Sequence, residues 1–149
     1  MEKPLVLVQE TKHGKGIVAT RDIDEGETIL EFEKNFVSFP INNKTLTIDE
    51  HKHQLSKDPA AAENFINHSC DPNGYIDFDT LVLKALKPIK KGQEITFNYL
   101  TSEWKIKEIF ECTCGSQNCK HHIAGFKHLS LEERTKIKDF ISPFLKKKF

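Results

Sequence analysis

All four cysteines of this chain fall in two short segments: Cys70 stands alone, and Cys112, Cys114 and Cys119 form a C-x-C-x4-C run. None is left over for the rest of the fold. Four thiols in a chain without secretory features suggest a tetrahedral thiolate zinc site. Such a site orders a loop too poor in apolar residues to fold on its own. His121 and His122 lie close enough in sequence to Cys119 to compete as ligands, but four thiolates are the preferred set, with both histidines left on the surface.

At 149 residues the chain reads as one domain, long enough for a modest core and too short for a catalytic domain with a separate recognition domain. Its 22 basic and 22 acidic residues cancel, so no global field draws it to nucleic acid or to a membrane. A zinc-dependent nucleic-acid module is disfavoured on the same ground, and direct nucleic-acid binding is not expected. No apolar run approaches the roughly 20 residues that span a bilayer. The opening Met1 to Val8 is too short in apolar residues for a signal peptide and reads better as a first strand. The expected location is intracellular, cytoplasmic or nuclear.

The pattern along the chain is mainly β with short helices. Strands are expected over Leu5 to Gln9, Ile17 to Thr20, Thr28 to Phe32 and Phe36 to Phe39, punctuated by Gly14, Gly16, Gly26 and Pro40. Asn42 to Lys57 is polar and weakly patterned, and is expected to be a variable loop or insert. Asp58-Pro59-Ala60-Ala61-Ala62-Glu63 carries an N-cap and a proline at the first helical position, which predicts a short helix. Tyr75 to Phe78 and Leu81 to Ala85 flank Asp79-Thr80 as a hairpin, and Glu94 to Phe97 adds a strand. Ser130-Leu131-Glu132-Glu133 is a capping box, and Leu131, Arg134, Ile137 and Ile141 at helical spacing predict a final helix closed by Pro143.

Two further strings carry the functional signal, Asn67-His68-Ser69-Cys70-Asp71-Pro72-Asn73 and Gly92-Gln93-Glu94-Ile95-Thr96-Phe97-Asn98-Tyr99. Together they resemble the two signature motifs of SET-domain protein lysine methyltransferases, and the cysteine run resembles that family's post-SET zinc loop. The resemblance implies small β-sheets around a pseudoknot. It divides the chain into a SET domain over 1–105, with a variable insert over 34–64, a zinc loop over 106–125, and a C-terminal helix and basic tail over 126–149. It also places Cys70 as the fourth zinc ligand, with Cys112, Cys114 and Cys119. No cysteine-rich pre-SET module is expected.

The implied activity is methyl transfer from S-adenosylmethionine to a lysine of a histone tail or another lysine-bearing protein. That reaction needs an aligned methyl donor, a neutral amine and the exclusion of water. A free lysine has a pKa of about 10.4, so a low-dielectric channel that disfavours its charge assists. His13-Gly14-Lys15-Gly16 resembles the family's first motif, which implies cofactor contacts at Lys15 and Gly16, joined by Asn67, His68 and Tyr99. Tyr99 is implied as the catalytic phenol at the channel mouth. Phe97, two positions before it, is implied to set the number of methyl groups, and as phenylalanine it predicts di- or trimethylation.

The chain departs from the family pattern at three positions. Phe32 stands where a second tyrosine is usual, Asn98 replaces an aspartate, and Asn64 replaces an arginine. Either one hydroxyl suffices, or another group such as Tyr75 supplies the second, or activity is reduced. Phe32 and Asn98 therefore also support a second reading, a catalytically weak SET module that serves as a protein-binding scaffold.

Overall fold

A computed structural model describes residues 4–39, 42 and 44–149, so Met1 to Lys3, the Pro40 breakpoint, Ile41 and Asn43 lie outside it. In chain order the strands are β1 (Val6–Thr11), β2 (Gly14–Ala19), β3 (Thr28–Glu31), β4 (Phe36–Val37), β5 (Leu46–Asp49), β6 (Lys52–Gln54), β7 (Asn67–His68), β8 (Gly74–Asp77), β9 (Val82–Ala85), β10 (Glu94–Phe97), β11 (Phe110–Glu111) and β12 (His122–Ile123). Two helices follow, α1 (Leu131–Lys136) and α2 (Pro143–Lys148).

The strands form four small sheets, β1-β2-β10-β7, β3-β9-β8, β4-β6-β5 and β11-β12. The hairpin β1–β2 turns at Lys12-His13, where Thr11 Oγ1 accepts the His13 N–H and donates to the Gly14 carbonyl. Strand β10 joins two distant segments. It runs antiparallel to β2 through Glu94 and Ile95, and parallel to β7 through Thr96↔Asn67 and Phe97↔His68. Alternation along β8 and β10 buries Ile76, Ile95 and Phe97, which join Ile17, Ile29, Phe32 and Leu83 in the main core. Gly74 lets β8 approach β10 closely, since a Cβ there would sit 2.9 Å from the Thr96 carbonyl oxygen.

Three expectations are corrected. Asn42 to Lys57 is not loop alone but carries β5 and β6, which pair with β4. Its polarity concealed them: Thr47, His53 and Gln54 are buried, with Thr47 Oγ1 bonded to His53 Nδ1 and Glu103, and Gln54 donating to the Glu33 carbonyl. No helix begins at Asp58. That carboxylate accepts the Ala60 N–H in a tight turn, and only a 3-10 turn follows over Ala62–Phe65.

The C-terminal helix is two helices. The hydroxyl of Ser130 caps α1 by accepting the Glu133 N–H, as the capping box predicts, but α1 stops at Lys136. Pro143 then opens α2 instead of closing α1, with the Ser142 hydroxyl accepting the Leu145 N–H. Ile141, Phe144 and Leu145 pack with Phe126 as a second core, and the Ser142 N–H donates to the Thr101 carbonyl at 2.9 Å, which fastens this segment under Tyr99–Thr101. No helix of the described residues is long and apolar enough to cross a membrane.

Candidate active site

The chain leaves β10 through Asn98 into a 3-10 turn, Tyr99–Thr101. Asn98 is buried, and its Oδ1 accepts the Leu100 N–H at 2.9 Å. An aspartate would cap the turn with the same atom, so the Asn98 departure leaves this geometry intact. Tyr99 donates its hydroxyl to the Ile66 carbonyl at 2.5 Å. Burial, with lesser contributions from Glu103 and Glu94, pushes this phenol well above its ordinary range, so it is neutral at physiological pH.

Aromatic side chains enclose the tyrosine. Its ring lies 5.0 Å from Phe97, 5.2 Å from His68 and 5.9 Å from Phe110, centroid to centroid. Phe32 is 4% exposed and Phe97 7%, and both line the same groove as Tyr99. The groove has a volume of about 610 Å³ and runs from Lys12 and His13 past Asn67, His68 and Tyr99 to Thr45 and Glu103. That volume lies within the roughly 300–1,000 Å³ typical of small-molecule sites. Tyr75 does not line it. Its ring packs on Phe140 at 5.4 Å, so the suggestion that Tyr75 supplies a second phenol is set aside.

At the groove's other end, Asn67 donates both amide hydrogens, to the Lys15 carbonyl at 3.1 Å and to Glu94 Oε2 at 2.8 Å. Gly16 sits at this junction. A Cβ on it would collide with Glu94 Oε2 and lie 2.8 Å from Asn67 Nδ2, so any side chain here would push the Glu94 and Asn67 groups out of this arrangement. Lys15 and Gly16 are therefore brought to Asn67, but it is the turn residues Lys12 and His13 that line the groove.

His68 is buried and neutral, its imidazole pushed down to about 4 by desolvation. Its Nδ1 accepts the Tyr99 N–H at 3.0 Å, which assigns the ring proton to Nε2, 3.4 Å from Cys70 Sγ.

The four cysteine sulfurs converge, all within 4.8 Å of one another, with Cys70 and Cys112 4.0 Å apart and no disulfide formed. A tetrahedron with metal–sulfur bonds of about 2.3 Å has edges of about 3.8 Å, so this donor set fits zinc. Burial pushes the Cys70 thiol far up and Cys112 to about 11. At Cys114 burial also acts upward but is outweighed by hydrogen bonds from Ser116, leaving it at about 5. His121 and His122 are exposed and outside the cluster, as expected, and His122 faces Glu111.

Two groups here were not legible beforehand. Phe110 stands two residues before the first clustered cysteine, where an aromatic in a polar run was a usable but faint signal. Glu103 gave none. Its carboxylate accepts from the Thr47 hydroxyl at 2.6 Å, from the Thr47 N–H at 3.1 Å and from the Ser102 hydroxyl, and burial pushes its carboxyl up.

Comparison with known proteins identifies the family. The SET domain family model matches residues 14–100, more than half of the chain, and the chain belongs to the SET-domain family. It is 34% identical over 96 residues to methyltransferase flvH of Aspergillus flavus, covering 63% of this chain and 54% of that protein. It is 28% identical over 148 residues to histone-lysine N-methyltransferase ASHH3 of Arabidopsis thaliana, covering 81% of this chain and 38% of that one. The chain thus spans about half or less of these relatives' lengths.

The fold is also that of KRYPTONITE, solved in complex with mCHG DNA and SAH (TM-score 0.62, 24% identity, 78% of this chain and 28% of that one). A second KRYPTONITE structure contains mCHH DNA, an H3(1-15) peptide and SAH. With DNA in both, the expectation that nucleic acid is excluded finds no support in these likenesses.

Proposed function

We propose that this chain is an S-adenosylmethionine-dependent protein lysine N-methyltransferase acting on a histone tail or another lysine-bearing protein, inside the cell in the cytoplasm or nucleus. The observation that carries the reading is the neutral Tyr99 phenol, fixed by the Ile66 carbonyl in an aromatic-walled groove whose other end is the Asn67, Lys15 and Gly16 junction.

S-adenosylmethionine supplies an activated methyl group. Asn67, with both N–H groups committed to Lys15 and Glu94, offers the cofactor its Oδ1 as an acceptor, and Gly16 leaves room for backbone contact. Tyr99 has its proton on the Ile66 carbonyl, so its lone pairs are available to the incoming amine and to positive charge at the transferring methyl. Phe32, Phe97 and Phe110 exclude water and favour the uncharged amine. The neutral phenol positions and stabilises; it is not a base.

Cys70, Cys112, Cys114 and Cys119 hold zinc in this reading, which orders the strand β11 and Phe110 against Tyr99. The SET domain occupies 1–105, with its variable insert over 34–64, the zinc loop 106–125 and the C-terminal segment 126–149. The Phe32 and Phe97 pair leaves space for di- or trimethylation.

The scaffold reading retains only Phe32 in its favour, because Asn98 performs its capping role. Incubating the protein with methyl-labelled cofactor and histones, then mapping modified lysines by mass spectrometry, tests the proposal. Absence of label with any lysine-bearing protein would favour the scaffold.

A further inference from the structure

The charge of Glu103 lacks a counterion. Each of its hydrogen bonds comes from a neutral donor, and among the described residues it forms no ion pair. Lys12, Lys44, Lys105 and Lys107 line the same groove, yet none pairs with it, and Lys44 lies over the Phe65 ring at 4.5 Å. The other groove carboxylates differ. Glu108 and Glu111 are exposed to water, and Glu63 lies at the Ser56 side of the groove, where it accepts the Ser56 hydroxyl at 2.6 Å. A carboxylate withdrawn from water without a cation costs free energy that an arriving positive group would offset.

Two oxygens offer about four acceptor positions. Oε2 takes the Thr47 N–H and the Ser102 hydroxyl, while Oε1 takes the Thr47 hydroxyl alone, which leaves one position open on Oε1. The donors come from β5 on one side and from the end of the Tyr99 turn on the other, so the carboxylate is held rigidly between them.

We propose that Glu103 is a cation subsite of this groove, whose Oε1 receives an ammonium or guanidinium group of the bound protein. That group is either the lysine on its way to Tyr99 or a basic residue beside it. The ligand rests on the methyltransferase reading above. The subsite gives the groove a preference for positive side chains that its four lysines would otherwise oppose.

Isothermal titration of protein saturated with S-adenosylhomocysteine, which permits no transfer, tests this with three short capped peptides. One has a single central lysine, one has norleucine in its place, and one has the norleucine with a neighbouring arginine. Wild type should bind the lysine peptide, or the arginine peptide, about tenfold tighter than the neutral one. Glu103→Gln should bind all three alike. Which cationic peptide loses its advantage tells whether the target lysine or its neighbour occupies the subsite.

Discrimination kept in Glu103→Gln, or absent from wild type, overturns the proposal. Should Glu103→Gln not fold, Glu103→Asp draws the same charge back by one methylene and should lower the discrimination at least about threefold; unchanged discrimination overturns it equally. Methyl incorporation into the lysine peptide is measured separately, so a charge preference without transfer would refute the enzyme reading and leave the subsite standing.

Discussion

His68 and Tyr99 are joined twice: the Tyr99 N–H donates to His68 Nδ1 at 3.0 Å, and the two rings meet edge to face with centroids 5.2 Å apart. The opposite ring nitrogen of His68 faces Cys70 Sγ. One buried imidazole therefore links the phenol-bearing turn to the cysteine cluster, and the integrity of one bears on the position of the other.

Removal of the metal should act on turnover through this link. Protein purified without chelator should contain about one zinc per chain. Cys112→Ser should lose both the metal and most activity, by metal analysis beside a labelling assay. Full activity in metal-free protein would show that the cluster does not support the groove.

Separation of binding from chemistry is expected at the two ends of the groove. Asn67→Ala should abolish S-adenosylmethionine binding, and Gly16→Ala should weaken it, because its Cβ would displace the Asn67 amide and the Glu94 carboxylate. Titration calorimetry reads this directly. Wild-type affinity in Gly16→Ala would place the cofactor elsewhere.

Phe97→Tyr should shift the product toward monomethylation, because a hydroxyl there can bond the amine and hinder the rotation that a further transfer needs. Mass spectra over a long time course measure it. A wild type that stops at one methyl and is unchanged by the substitution contradicts the role given to Phe97.

Glu103 also gives stability a sign with pH. Its folded pKa is raised above the ordinary carboxylate value of 4.5, so from about that pH upward the native state binds more protons than the unfolded chain. Stability from this group is complete below the unfolded pKa and is lost as pH rises through the folded one. Asp22, Asp77 and Glu133, whose carboxyls are lowered, act oppositely and at more acid pH. His53 and His68, whose imidazoles are lowered by burial, add stability as pH rises toward 6.5, so the Glu103 contribution is read as a difference. In denaturant titrations from pH 5 upward, the stability of wild type relative to Glu103→Gln should fall as pH rises. Equal slopes would remove the buried charge from the account.

Much of the architecture was legible because apolar alternation announces itself. The strands β8, β9 and β10 and the clustering of Cys112, Cys114 and Cys119 were readable from residue type and spacing, while Cys70 joined them through the motif it stands in. What escaped was structure held by polar groups. β5 and β6 bury Thr47, His53 and Gln54, and the partners of Thr47 and Gln54 include Glu103 and the Glu33 carbonyl, 56 and 21 positions away, so no local pattern marks them as strands. Pro143 obeys a rule that has two outcomes, since proline both ends helices and begins them, and only Ser142 just before it distinguishes the two. At the site, Tyr99 was legible from its motif, whereas Glu103 depends on a contact between segments 56 positions apart.

The most direct test of the central claim is single-turnover transfer of a labelled methyl group from S-adenosylmethionine to a lysine-bearing protein, comparing wild type with Tyr99→Phe. Deleting the hydroxyl removes its bond to Ile66 but leaves the ring among Phe97, His68 and Phe110. The account predicts unchanged cofactor affinity and a transfer rate lower by about a hundredfold or more. Transfer at the wild-type rate in Tyr99→Phe would contradict it.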